Sequence, residues 1–178
     1  SLPTQMLLNF GNDQQKAHFL KPMARGEWLG AFALSEPEAG SDAAALRCQA
    51  VRDGDDWLLT GTKAWVSHGS HADVILCMAR TDESDQREGA KGISSFILTP
   101  DLPGFNVGKK ESKLGLRSSP TVSLNLDHCR VPGNRLLGEV GEGFVYALAS
   151  LDHGRLGIAA QAIGIGRAAL ELQRDQLI

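Results

Sequence analysis

The chain has 178 residues, enough for one domain or one and a half, and its 42% hydrophobic and 22% charged content is ordinary for a soluble globular protein. Eighteen basic against 21 acidic side chains leave a net charge of -3, which argues against a general nucleic-acid binder, whose affinity rests on Lys and Arg neutralising phosphates. Cys48, Cys77 and Cys129 lie far apart, with no CxxC and no zinc-ligand spacing, which argues against a disulfide scaffold or structural zinc; no apolar run reaches the roughly 18 residues that span a bilayer.

The chain begins at Ser1 without Met and stops at Ile178 inside a helical pattern, and so reads as a piece of a longer protein. Residues 12–25 carry a helical pattern with Asn12 or Asp13 as N-cap and Gly26 as stop; Pro22 predicts a break or kink near Lys21. From Glu27 to about Val131 short β-rich runs follow at 28–35, 46–52, 56–67, 73–80, 92–99, 104–110 and 121–131. Breakers at Asp53-Gly54 and Pro103-Gly104 separate them, and the polar stretch 82–91, with charges of both signs, reads as a solvated surface loop. In the last run Val122, Leu124 and Leu126 alternate with Ser123, Asn125 and Asp127, the pattern of a half-buried antiparallel strand. Seven short strands without long helices between them predict a β-sandwich or barrel. From Glu142 onward Phe144, Leu148, Leu151, Arg155, Ile158, Ala162, Ile165, Ala169 and Leu172 form one stripe of a long helix. Gly154, Gly157, Gly164 and Gly166 each cost roughly 1 kcal/mol there relative to Ala, so close packing against other helices or a ligand is expected.

Three places carry candidate chemistry, each with a plainer structural alternative. Arg155 is the one charge on the apolar stripe; it is read either as an ion pair with Asp152, three residues earlier, or as a cation held for an anionic ligand. In the turn 34–42, Ser41 is expected to cap a short helical turn through Ala45, whose free N–H groups would suit an anion; a cap without a ligand is the plain alternative. In 61–69, strand periodicity places Lys63, Trp65 and Ser67 on one face, where an indole and a hydroxyl would suit a planar heterocycle; a core Trp is the plain alternative. His18, His68, His71, His128 and His153 form neither a metal-ligand cluster nor a nucleophilic triad, and no metal is expected.

Together these segments resemble the acyl-CoA dehydrogenase family, in its short-chain (butyryl-CoA) style. Ala33-Leu34-Ser35-Glu36-Pro37-Glu38-Ala39-Gly40-Ser41-Asp42 is similar to the family signature, and Gly61-Thr62-Lys63-Ala64-Trp65-Val66-Ser67-His68-Gly69 to its second flavin segment. Lys113-Leu114-Gly115-Leu116-Arg117-Ser118-Ser119 and Asp127-His128-Cys129-Arg130-Val131-Pro132 resemble its later strand signatures, and Leu151-Asp152-His153-Gly154-Arg155 its substrate helix. The resemblance implies an α+β multidomain fragment: 1–26 the tail of an N-terminal helical domain, 27–138 a central antiparallel sandwich or barrel-like β-domain, and 139–178 the first helix of a C-terminal helical domain.

It further implies FAD-dependent α,β-dehydrogenation of an acyl-CoA thioester, electrons passing to an electron-transferring flavoprotein. The full-length protein is expected to be a homotetramer, cytoplasmic in a bacterium or in the mitochondrial matrix of a eukaryote. Phe32, Leu34, Ser35, Gly40, Ser41, Trp65, Val66 and Ser67 would contact FAD, and Ser41, Asp152, His153, Gly154 and Arg155 the substrate. The family usually has Thr where Ser35 and Ser67 stand; Ser keeps the hydroxyl with a freer χ1. Most members carry the catalytic glutamate beyond the point matching Ile178, and the minority position just before the arginine is Gly154 here, so no base is expected in this chain. Glu36, the tempting substitute, belongs to a structural motif. Two other classes are an acyl-CoA oxidase or flavin monooxygenase relative on the same fold, and a non-catalytic binding module.

Overall fold

The computed structural model describes residues 1–81 and 89–176; most of the predicted loop at 82–91 lies outside them. Helix α1 (Leu2–Phe10) is a helix that the patterning did not single out, although its start signals are present: Ser1 accepts a bond from the Thr4 N–H, and Pro3 sits in the first turn. A second helical stretch opens with α2 (Asp13–Gln15), where Asn12 and Gln15 form a reciprocal capping box. It continues through a π-helical turn (Lys16–Leu20) into α3 (Lys21–Ala24). The break expected near Lys21 is this π turn: Lys21 N–H reaches back five residues to Lys16 O, and the widened turn takes up the bond register that Pro22, lacking an N–H, cannot continue. Gly26, at φ +74°, ends the stretch as expected.

Eight strands follow: β1 (Gly30–Ala33), β2 (Gln49–Asp53), β3 (Asp56–Ser67), β4 (Val74–Arg80), β5 (Ile93–Leu98), β6 (Phe105–Lys110), β7 (Thr121–Val131) and the two-residue β8 (Leu136–Leu137). The sheet order is β6-β7-β3-β2-β4-β5-β8, with β1 added beside β4. Pairing is antiparallel except where β1 and β2 meet β4 in parallel. One core joins Trp57, Leu59, Leu124 and Val131 of β3 and β7 to Ile75, Cys77 and Phe96 of β4 and β5, so the sheet folds over on itself in a barrel-like manner. A second core lies on the opposite face of β4 and β5, where Val74, Leu76, Met78, Ile93 and Ile97 meet Met6, Leu7 and Phe19 of the helices and Ala147. Burial on both faces explains why β4 reads as an unbroken apolar run while β7 alternates. The alternation of β7 slips once, where His128 takes φ +46° beside an irregularity in the pairing with β3.

Helix α4 (Gly143–Gln176) starts against β5. A Cβ on Gly143 would lie 2.3 Å from the Ser94 carbonyl carbon and 2.4 Å from Ser95 N, so only glycine permits this approach. Gly143, Ala147 and Ser150 are buried, a face offset from the predicted stripe, whereas from Arg155 outward the stripe residues are exposed. Nothing lies within 4 Å of a Cβ built on Gly157, Gly164 or Gly166. The close partners expected for those glycines are therefore not among the described residues. No helix among the described residues is long and apolar enough to cross a membrane.

Candidate functional site

The turn after β1 is built on a buried ion pair. Lys63 Nζ, fully buried in β3, donates to Glu36 Oε1 at 2.8 Å and to Leu34 O at 3.1 Å. Glu36 also accepts the N–H groups of Arg47 at 2.6 Å and Cys48 at 2.9 Å, so its carboxylate is fully engaged in structure. Glu36 and Ala39 exchange backbone bonds around Pro37, and Ala64 N–H donates to Ser35 O at 2.9 Å. These bonds fasten the turn to β3. The cap expected of Ser41 does not form: the short turn is a 3-10 turn (Ala43–Ala45) with Asp42 in the cap position and no side-chain cap bond, because Ala45 N–H takes the Asp42 carbonyl instead.

Strand alternation fails at Trp65. Lys63 and Val66 both point into the protein, whereas Trp65 and Ser67 are exposed. The cause is a bulge: Trp65 takes φ +60°, and the pairing of β3 with β7 shifts register between Lys63 and Val66. The shared face expected for Lys63, Trp65 and Ser67 is thus split, and Trp65 is no core residue of this chain but 64% exposed.

The bulge turns Trp65 and Ser67 into a cleft of about 550 Å³. Phe32, Leu34, Ser35, Gly40 and Ser41 line the same cleft, and α4 contributes Leu148, Leu151 and Arg155. Val66 is placed differently, its side chain buried in the core, which leaves only its backbone for a ligand. Leu2, Pro3, Ala64 and His68 also line the cleft; Leu2 and Pro3 carried no sequence signal, whereas Ala64 and His68 stand in the 61–69 segment, which gave neither of them a role.

On the helix side the predicted substrate residues divide. His153, Gly154 and Arg155 line a second cleft of about 740 Å³ with Leu2, Gln5 and Ile158, and Leu2, Leu151 and Arg155 belong to both clefts. Ser150 lines it too; its Oγ is buried without a hydrogen-bond partner among the described residues. A Cβ on Gly154 would come within 3.2 Å of Leu2 Cδ2. Asp152 lines neither cleft but holds Arg155 Nη1 at 2.6 Å, with side-chain exposures of 67% and 73%. The burial expected of Arg155 is not found, because α4 has left the sheet by that point and no described residue covers its stripe. Behind the sheet wall Cys48, Cys77 and Cys129 are free and buried. A hydrogen bond to Cys77 and burial hold the Cys48 thiol well above its ordinary range. Among the described residues no group of His, Cys, Asp or Glu could hold a metal ion.

Residues 31–129 match the family described as acyl-CoA dehydrogenase, middle domain. Over 165 residues the chain is 47% identical to the mitochondrial short-chain specific acyl-CoA dehydrogenase of Rattus norvegicus, an overlap of 93% of this chain and 39% of that one. An acyl-CoA dehydrogenase of Bacillus subtilis (strain 168) is 47% identical over 171 residues, 96% of this chain and 44% of its own length. The solved structure of butyryl-CoA dehydrogenase from Megasphaera elsdenii superposes with a TM-score of 0.90 at 43% identity, over 95% of this chain and 44% of that one. The chain therefore spans less than half the length of these relatives.

Proposed function

The chain belongs to the acyl-CoA dehydrogenase family, and from that premise we propose that it supplies the flavin-facing and thioester-facing core of an FAD-dependent dehydrogenation of an acyl-CoA to its trans-2-enoyl-CoA. The observation that carries the proposal is the single cleft where Trp65, Ser67, Ser35, Ser41 and Arg155 converge from three separate segments. Its residues suit an isoalloxazine ring. The exposed indole offers a stacking face, Phe32 and Leu34 an apolar edge, and the Ser35 and Ser67 hydroxyls polar contacts for ring heteroatoms. Gly40 has open space where a Cβ would stand, which leaves room for a pyrophosphate beside Ser41. When bound, FAD would supply the two-electron acceptor for the β-hydrogen.

The protein's own part is to bind, orient and exclude water. The Lys63–Glu36 pair fixes the turn that presents Ser35 and Ser41, and the bulge at Trp65 aims the indole and the Ser67 hydroxyl outward. Arg155, Gly154 and His153 would line the thioester side. Removal of the α-proton needs a base, and Glu36 is unsuited because its oxygens are already bonded to Lys63, Arg47 and Cys48. In this reading the base is a glutamate outside residues 1–178, electrons pass to an electron-transferring flavoprotein, and the full-length protein is a homotetramer. The division into 1–26, 27–138 and 139–178 as parts of helical, β and helical domains belongs to the same proposal.

An anaerobic assay with butyryl-CoA and an artificial electron acceptor tests it. The full-length protein should turn over, and residues 1–178 alone should be slower by at least about 10²- to 10⁴-fold, the usual loss when general-base catalysis is removed. Turnover by residues 1–178 at ordinary enzyme rates would overturn the placement of the base. A full-length protein that binds no flavin would overturn the proposal as a whole.

A further inference from the structure

Two residues of the cleft hold left-handed backbone, Trp65 at φ +60° and His68 at φ +61°. A non-glycine residue keeps that conformation only where its surroundings over-determine it. Between the two, Val66 and Ser67 pair with Val122 and Thr121 of β7, and Val66 is locked into the core. The left-handed residues are thus the pivots that turn Trp65 and Ser67 toward the cleft. At the first pivot the restraint is the Ala64 N–H on Ser35 O and the buried Lys63 beside it.

The second pivot is restrained by His68 itself. Its backbone N–H donates to Pro120 O at 2.7 Å, and its imidazole Nε2 shares a hydrogen bond with Ser119 Oγ at 3.2 Å. Ser119 is fixed in turn, its N–H donating to Leu116 O at 3.0 Å and its carbonyl accepting Lys113 Nζ. An asparagine tolerates left-handed backbone as well, but its shorter side chain stops before Ser119, so the imidazole adds reach to conformational tolerance. His68 also lines the cleft.

We propose that His68 is a positioning residue of this site: its clasp on Ser119 and Pro120 ties segment 111–120 to the cleft end of β3 and sets the orientation of the Trp65 indole and Ser67 hydroxyl toward a bound planar ring. The flavin part of this role rests on the reading of the cleft given above.

The test uses the full-length protein with His68→Asn, Ser119→Ala and the double variant. Ser119→Ala deletes one hydroxyl from the loop and guards against a folding defect at His68. Amide hydrogen exchange across residues 64–70, which needs no flavin, should rise in both single variants. Flavin dissociation should quicken by about three- to tenfold, the range of one lost hydrogen bond, with a changed flavin absorbance. The double variant should be no worse than His68→Asn, because both substitutions remove the same contact. Unchanged exchange in both single variants would overturn the clasp. Raised exchange with unchanged flavin dissociation and spectrum would overturn the positioning role, and so would additive losses in the double variant. A wild-type protein that retains no flavin would sink the flavin reading and this role toward it, while the exchange measurement still decides the clasp.

Discussion

The two walls of the cleft each rest on an ion pair of nearly equal length, and the likeness ends there. On the sheet side Lys63 and Glu36 meet at 2.8 Å with side-chain exposures of 0% and 7%, and both carry further bonds to backbone. On the helix side Arg155 and Asp152 meet at 2.6 Å with exposures of 73% and 67%. Distance therefore says little about what either pair does. Burial makes the first a fixed part of the fold, since an uncompensated charge there would have no water to turn to. Exposure makes the second a weak tether that leaves the guanidinium available to a ligand.

Breaking the sheet-side pair should give the largest effect. Lys63→Met leaves the Glu36 carboxylate buried with only two backbone donors, and stability by denaturant titration should fall by about 3–5 kcal/mol. Adding Glu36→Gln should recover much of the loss, because the stranded charge is then gone. A single variant as stable as the wild type would mean that the pair is not what holds the turn.

Next in size is the indole. Trp65→Ala in the full-length protein should weaken FAD retention by up to about tenfold, from stacking worth roughly 0.5–1.5 kcal/mol, and should alter the flavin absorbance. Because Trp65 lies outside both cores, thermal stability measured without flavin should barely move. A large stability loss with an unchanged spectrum would make Trp65 a structural residue after all.

On the helix side Asp152→Asn should cost less than about 1 kcal/mol, and less still in high salt. Arg155→Lys should fold normally yet lower kcat/KM for the acyl-CoA, since an ammonium cannot reproduce the planar fork. An unaltered kcat/KM would remove Arg155 from the substrate site and leave only the surface pair.

The last effect vanishes at neutral pH: it is a pH response confined to the sheet side. Burial pushes the Cys129 thiol up to about 11, above an unfolded value near 8.5. A raised thiol is neutral in the folded state, so its contribution is complete below the unfolded value and fades as pH rises toward 11. Stability should decline over that window, and Cys129→Ala should lessen the decline. An identical slope in the variant would show that other groups cause it.

The sequence was most legible where one interaction dominates a segment. All seven predicted strands are present, because their apolar runs and turn residues act locally. The candidate site residues were reachable as motifs and 34–42 as a turn, but the buried bonds of Glu36 that fasten the turn and the bulge at Trp65 were not. Lys63 shows why: alternation grouped it with Trp65, but Trp65 itself takes left-handed backbone and leaves the face, and periodicity cannot register one inverted φ. The expected burial of Arg155 erred for a different reason. A helical stripe records which face is apolar along its whole length, not where along the helix a neighbour stops covering it.

The close seat of Gly143 has a mechanical consequence. Helix α4 is gripped near its origin, where a glycine lets its backbone touch that of β5, and it runs on for 34 residues. Arg155 stands 12 residues along, about 18 Å at 1.5 Å per residue, so a tilt of about 3° at the seat carries it roughly 1 Å. The helix works as a long pointer set on a small bearing and steadied by α1 as far as Gly154. A single hydrogen atom in place of a methyl group at that bearing decides where, a dozen residues away, the guanidinium comes to rest.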